Sequence, residues 1–323
     1  MQAIAQTEYG APDSLHLVDI AKPVPQDNEV LVRIKAASVD AGNWHLMRGT
    51  PFLIRLIYGG LWKPKYSVLG SAIAGKVEAV GQAVTQFQPG DAVFGDLSEN
   101  GFGGFAEYAC TPATALAPKP DNLTFEAAAT VPVSGVTALQ ALRDVGQVQE
   151  GQRVLIVGAA GGVGSFAIQI ANAFGADVTG ACSSQKAEMV KQIGAEHVID
   201  YNQIDYTQPS QPYDLIVDTA AYRSFTDYLP ALKPGGTYVM VGGSTTAFFR
   251  AMLFGPWLGK RQQHQVKCLT SQANQGDLLT LKELAETDKV TPFIDRTYPL
   301  SKVPQAIHEL EQRQIKGKVA ITI

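Results

Sequence analysis

The sequence predicts an α/β protein built on a doubly wound parallel sheet, with a second, β-rich domain beside it. Three observations carry that expectation. Strand and helix signals alternate through the middle of the chain. The flanking regions are rich in short strands and turns. And the run VLIVGAAGGVG, residues 154–164, joins a buried apolar strand to a helix through four glycines within seven residues.

The β-rich character comes first along the chain. VLVRIKAASV (30–39), SAIAGKVEAVG (71–81), GDAVFG (90–95) and GFAEYAC (104–110) read as strands punctuated by Gly and Pro. After Pro118 and Pro120 the pattern changes to a helical stretch at 125–143. Val154–Val157 is a short continuous apolar run, as a strand buried on both faces requires. From Ser165 to Phe174 apolar residues recur at helical spacing, and Ala176–Ala181 reads as the next strand. A helix at 185–193, the strand HVID, the segment YDLIVDTA, a helix near 224–232 and the strand TYVMVGG continue the alternation. FIDRTYPL, a helix at 303–313 and GKVAITI return to the β-rich pattern. Residues 1–122 and 288–323 are therefore expected to form one domain, and 123–287 a nucleotide-binding domain inserted into it.

The glycine turn states the chemistry of that inserted domain. Ala159-x-Gly161-x-x-Gly164 matches the dinucleotide fingerprint with alanine in the first place. Gly161 lets a backbone approach a pyrophosphate, Gly164 lets helix and strand pack closely, and the helix start offers amides to phosphate charge. Ala160, Gly161, Gly162, Val163 and Gly164 are the expected phosphate-binding residues.

Composition narrows the classes. The formal net charge is −4 over 323 residues, so no electrostatic case for nucleic acid exists. No apolar run reaches the ~18 residues of a membrane span. The opening MQAIAQTEYG lacks a signal-peptide pattern, and three well-separated cysteines form no pair motif. A cytoplasmic location is the expectation.

Eight motifs together resemble the medium-chain dehydrogenase/reductase superfamily: ASVDAGNWHLMRG (37–49), GKVEAVG (75–81), FQPGDAVFG (87–95), GGFAEYA (103–109), VPVSGVTALQAL (131–142), AAGGVG (159–164), IGAEHVIDY (193–201) and GKVAI (317–321). The likeness spans essentially the whole chain. It is nearest to the zinc-independent quinone oxidoreductases, including the plastid-envelope type. It implies a Rossmann domain, a GroES-like substrate domain, and NADPH-dependent reduction of quinones or α,β-unsaturated carbonyls. A carbonyl or alcohol oxidoreductase of the same superfamily, and a catalytically silent nucleotide-binding regulator, stand as alternatives. A homodimer acting on a small molecule is the expected assembly.

The resemblance also locates site residues. Zinc-dependent members carry ligands where this chain has Asp40, Ser71 and Val133, so no metal is expected. His45 falls at a proton-relay position of some zinc enzymes; without the metal, a surface or hydrogen-bonding role is at least as strong a reading. The family usually has Asn at position 40 and often Asp at 43; here the two are exchanged. Asp40 and Asn43 are expected to line the site, with Asn43 as a candidate hydrogen-bond donor to a carbonyl oxygen. Tyr58 is a candidate acid within TPFLIRLIYGGLWKPKY, although lid or core packing explains it and Tyr66 as readily.

For the cofactor phosphate, the end of the second strand reads Gly180-Ala181-Cys182-Ser183-Ser184-Gln185-Lys186, with no acidic residue. Ser183 or Ser184, Lys186 and Tyr201 match the family's NADPH-selecting positions. Thr137, Val241, Gly242, Gly243 and Lys318 complete the expected cofactor contacts. The apolar segment 247–258, AFFRAMLFGPWL, is expected to line a pocket or an interface, a membrane contact being disfavoured.

Overall fold

A computed structural model of the chain describes residues 1–58 and 60–323. The chain forms two compact units. One comprises Met1–Ser134, Ala273–Glu286 and Ile294–Ile323; the other comprises Gly135–Gln272 and Thr287–Phe293.

The second unit is the α/β one. Its strands are β1 (Arg153–Val157), β2 (Asp177–Cys182), β3 (His197–Asp200), β4 (Tyr213–Asp218), β5 (Leu232–Met240) and β6 (Gln265–Cys268). They form one sheet in the order β3-β2-β1-β4-β5-β6, and every pairing is parallel. This is the doubly wound nucleotide-binding order, whose reversal lies between β1 and β4. Val154, Leu155, Ile156 and Val157 are fully buried, as a central parallel strand covered on both faces must be.

The helices differ in detail from the sequence pattern. The helix after the glycine turn spans Gly162–Ala173, starting before Ser165 because its first turn is built from residues without periodic side chains. The stretch 125–143 is divided into helices Phe125–Ala129 and Pro132–Gln140, followed by a π-helical turn at Ala141–Val145. Pro132 disfavours helical backbone at Val131 and cannot continue the preceding helix, so it starts a new one. The apolar segment 247–258 lies inside the helix Thr245–Arg261, whose start is capped by Ser244 Oγ accepting the Ala247 amide at 3.2 Å. Gly255 and Gly259 let this helix lie on β6, since a Cβ at Gly255 would come within 2.4 Å of Val266 Cγ1. Among the described residues no helix is long and apolar enough to cross a membrane.

The first unit is a β-rich fold. Its main sheet runs, in spatial order, Ile294–Pro299, Lys318–Thr322, Glu29–Val39, Ala72–Val80, Ala92–Asp96 and Leu116–Pro118, with Tyr108–Pro112 also paired to Glu29–Val39. Val32, Ile34, Ile73, Val93, Phe105 and Ile321 fill its core. The long central strand delivers its C-terminal end, Asp40, to the start of the helix Ala41–Arg48. Antiparallel pairing of Val319 with Val39 sets Lys318 opposite Asp40.

Candidate functional site

In the α/β unit the candidate residues gather along one edge of the sheet, beyond the carboxyl ends of the strands. The glycine turn follows β1, Ser183 follows β2, Tyr201 follows β3, and Val241–Gly243 follow β5. Gly158 takes φ +78°, and a Cβ on Gly164 would lie 2.2 Å from the Gly158 carbonyl oxygen. Helix and strand can therefore approach only where that side chain is missing. At Gly161 a Cβ would meet only the Gly158 oxygen, at 3.3 Å, so its outer side is open. The first-turn amides of Gly162, Val163 and Gly164 have no acceptor within the helix, as at any helix start. An open glycine over such amides at a positive dipole end suits a pyrophosphate.

Further along the edge, Ser183 begins the 3₁₀ turn Ser184–Lys186, and the Lys186 amide donates to the Ser183 carbonyl at 2.9 Å. The Tyr201 amide donates to the Cys182 carbonyl at 3.1 Å, which brings Tyr201 beside that turn. Its ring packs on Tyr222, with centroids 5.2 Å apart. The Val241 amide donates to the Asp218 carbonyl at 2.9 Å, tying the end of β5 to that of β4. Thr137 Oγ1 donates to Ser271 Oγ at 3.3 Å.

Two carboxylates at this edge escape a reading by sequence position alone. Asp218 is fully buried at the end of β4. It accepts the amides of Ala220 and Ala221 at 3.1 and 2.7 Å and the Tyr238 hydroxyl at 2.8 Å, which braces the turn after the strand. Asp200 ends β3 in register with Cys182 and accepts the Ser184 hydroxyl. An acidic side chain thus lies beside the end of β2, supplied by the neighbouring strand, which only the strand pairing reveals.

In the β-rich unit, Asp40, Asn43 and Lys318 come together, and they bring a residue that the motifs did not single out, Ser134. Lys318, only 2% exposed, donates from Nζ to Asp40 Oδ1 and to Ser134 Oγ at 2.9 Å. Ser134 Oγ in turn donates to the same Asp40 oxygen at 3.0 Å. The Asp40 amide donates to Asn43 Oδ1 at 2.8 Å. An N–H can only donate, so this contact fixes the orientation of the Asn43 amide and turns Nδ2 away. Asn43 Nδ2 and Asp40 Oδ2 are both buried and have no hydrogen-bond partner among the described residues. A buried pair of this kind, one donor and one acceptor, carries a desolvation cost that a polar ligand would relieve.

The neighbouring groups have separate roles. Burial lifts the Asp96 carboxyl from 3.8 to about 6, with the charges of Asp40 and Glu99 acting in the same direction. Tyr58 is 39% exposed, and partial desolvation of its phenol, aided by the charges of Asp96 and Glu99, pushes it above its ordinary value. Tyr58 and Tyr66 both pack on Phe102, with ring centroids 5.7 and 5.2 Å away. His45 Nδ1 lies 2.8 Å from the Thr50 carbonyl and its ring stacks on Trp44, which accounts for that histidine by local packing. Among the described residues, Asp177, Glu196 and His197 bring ligand atoms within 4.8 Å of one another. They sit where β2 and β3 begin, at the opposite edge of the sheet from the glycine turn.

Comparison with known proteins agrees with this architecture. Residues 26–121 match the alcohol dehydrogenase GroES-like domain, and residues 193–321 match the family described as zinc-binding dehydrogenase. The chain is 30% identical to the chloroplast envelope quinone oxidoreductase homolog of Arabidopsis thaliana, over 99% of this chain and 98% of that one. It is 31% identical to 2-methylene-furan-3-one reductase of Solanum lycopersicum, over 99% of this chain and 79% of that one. The structure of the quinone oxidoreductase from Coxiella burnetii superposes with a TM-score of 0.88 at 30% identity, covering 100% of this chain and 99% of that one.

Fold and sequence relationship thus define an NAD(P)H-dependent oxidoreductase. The chain belongs to the medium-chain dehydrogenase/reductase superfamily, among its quinone oxidoreductase-like members.

Proposed function

We propose that the protein is a metal-free, NADPH-dependent reductase of quinones or α,β-unsaturated carbonyls. The observation that carries this reading is the Asn43 amide, a buried, unpartnered donor whose direction is fixed by the Asp40 backbone. The bound nicotinamide cofactor supplies the hydride. An electron-poor acceptor that receives hydride at one carbon moves an electron pair onto its carbonyl oxygen. A preoriented donor such as Asn43 Nδ2 stabilises that developing charge without a metal. Zinc would perform the same polarisation in a metal-dependent member. Here Asp40, at a zinc-ligand position of the family, is already paired with the Lys318 ammonium, and Ser71 and Val133 occupy the other ligand positions.

The phosphate-binding group proposed for NADPH is Ser183, Lys186 and Tyr201, beside the glycine turn. Their clustering where β2 and β3 end, next to an edge suited to pyrophosphate, supports the assignment. Thr137 and Val241–Gly243 are proposed to flank the remainder of the cofactor.

The reading is tested by following NADPH oxidation against a panel of quinones, enones, aldehydes and ketones. Turnover of the quinones or enones, with little on simple aldehydes and ketones, is expected. Turnover confined to simple carbonyls would assign the protein to alcohol and carbonyl chemistry. Cofactor binding with no turnover on any member would indicate a nucleotide-binding regulator.

A further inference from the structure

We propose that Asp200 is a specificity-determining residue for the cofactor: held against Ser184 where β2 and β3 end, its carboxylate opposes Lys186, so that the protein uses NADH as well as NADPH. The inference rests on the proposed placement of the nicotinamide cofactor along this sheet edge.

The geometry is local and well defined. Parallel pairing places Asp200 directly beside Cys182, the last residue of β2. From there its Oδ2 accepts the Ser184 hydroxyl and the Gln203 side-chain amide, the latter at 2.8 Å. Its Oδ1 accepts the backbone and side-chain amides of Asn202, at 3.0 and 3.2 Å. These four donors hold the carboxyl below its ordinary value, so it stays ionised throughout the neutral range.

Ser184 has one hydroxyl proton, and Asp200 takes it. Toward a ligand the Ser184 oxygen therefore offers lone pairs only. A ribose 2′-hydroxyl can donate to that oxygen, since the four donors already on Asp200 fill the carboxylate's own acceptor sites. A 2′-phosphate is mostly dianionic at neutral pH, so it mostly has no proton to give and meets a lone pair backed by a negative charge. Lys186, two residues further on, has the opposite effect: its ammonium attracts the phosphate and is indifferent to the hydroxyl. NADH recognition conventionally relies on a carboxylate at the end of the second strand. Here the neighbouring strand supplies it, next to a cation suited to the phosphorylated cofactor. The preference between the two cofactors is then narrow, and it is set by two side chains of opposite charge.

The test compares kcat/KM for NADPH and NADH in the wild type and in Asp200→Asn, which keeps the size and an acceptor oxygen but removes the charge. The NADPH-to-NADH ratio is expected to rise by about ten- to a hundredfold, as removal of one adverse charge contact implies. Dissociation constants for adenosine 2′,5′-bisphosphate and for 5′-AMP provide a readout independent of turnover. The first should tighten by a similar factor and the second should change little. The wild type should turn over both cofactors, with less than about a hundredfold between them. An unchanged ratio in Asp200→Asn, with both cofactors still bound, would overturn the inference and leave the reductase reading intact. Binding of neither cofactor, or binding indifferent to substitution of Gly161, would instead overturn the placement of the cofactor.

Discussion

On the proposed placement of the cofactor, Lys186 is the residue on which a preference for NADPH would depend most directly. A charge-assisted contact to a partly buried phosphate contributes roughly 1.5–3 kcal/mol, and each ~1.4 kcal/mol is a factor of ten. Lys186→Ala should weaken NADPH about ten- to a hundredfold and leave NADH nearly unchanged. The ratio of kcat/KM for the two cofactors measures this, and an unchanged ratio would reduce Lys186 to a surface lysine. Asp96 makes a prediction about pH. Its folded value of about 6 lies above the ordinary 3.8, so the native state binds that proton more tightly than the unfolded chain does. The resulting stabilisation is complete below the unfolded value and is lost as pH rises through about 6. Wild type should therefore gain about 2–3 kcal/mol relative to Asp96→Asn between pH 8 and pH 4. Urea unfolding of both proteins at the two pH values reads the difference, and a constant difference would contradict the burial of Asp96 as its cause.

Among the elements, the glycine turn separates binding from folding. Gly161 is open on its outer side, whereas Gly164 abuts the Gly158 carbonyl. Gly161→Val should abolish cofactor binding in a fluorescence titration while keeping a cooperative unfolding transition. Gly164→Ala should instead cost about 3 kcal/mol or more of stability, because backbone lies where its methyl group would go. The reverse pattern would place the pyrophosphate elsewhere. The C-terminal strand permits a second test. Register against the strand Glu29–Val39 sets Lys318 opposite Asp40 in a buried pair. Lys318→Met should cost about 3–5 kcal/mol by leaving Asp40 buried without its counter-charge. Adding Asp40→Asn should recover part of that loss rather than add to it. Strictly additive losses in denaturant titrations would mean that the two side chains are not energetically coupled.

Over the full chain, the metal-free reading predicts that turnover survives exhaustive chelation and that purified protein carries far less than one zinc per chain. Stoichiometric zinc whose removal abolishes activity would overturn it. The sheet order β3-β2-β1-β4-β5-β6 gathers residues from widely separated stretches, Gly161, Ser183, Tyr201 and Gly243 among them, along one edge of the α/β unit.

The alternation of apolar runs and helical periods is enough to specify the parallel sheet, because burial on two faces leaves no other pattern for Val154–Val157. The glycine turn is legible for a related reason: its residues are contiguous, and the missing side chains are themselves the signal. The superfamily motifs identify Asp40, Asn43 and Lys318 singly, but only the antiparallel register joins the last to the first. Ser134 lies unmarked within VPVSGVTALQAL, because a serine shows its partner only once the chain is folded. Asp200 is in view within IGAEHVIDY, but its meaning depends on β3 lying beside β2. Fold class and nucleotide-binding turn can thus be read along the chain, since both follow from local periodicity and steric permission. Which charges meet is settled only in the folded protein, because hydrogen bonds and ion pairs depend on distance in space, and strand pairing makes neighbours of residues far apart along the chain.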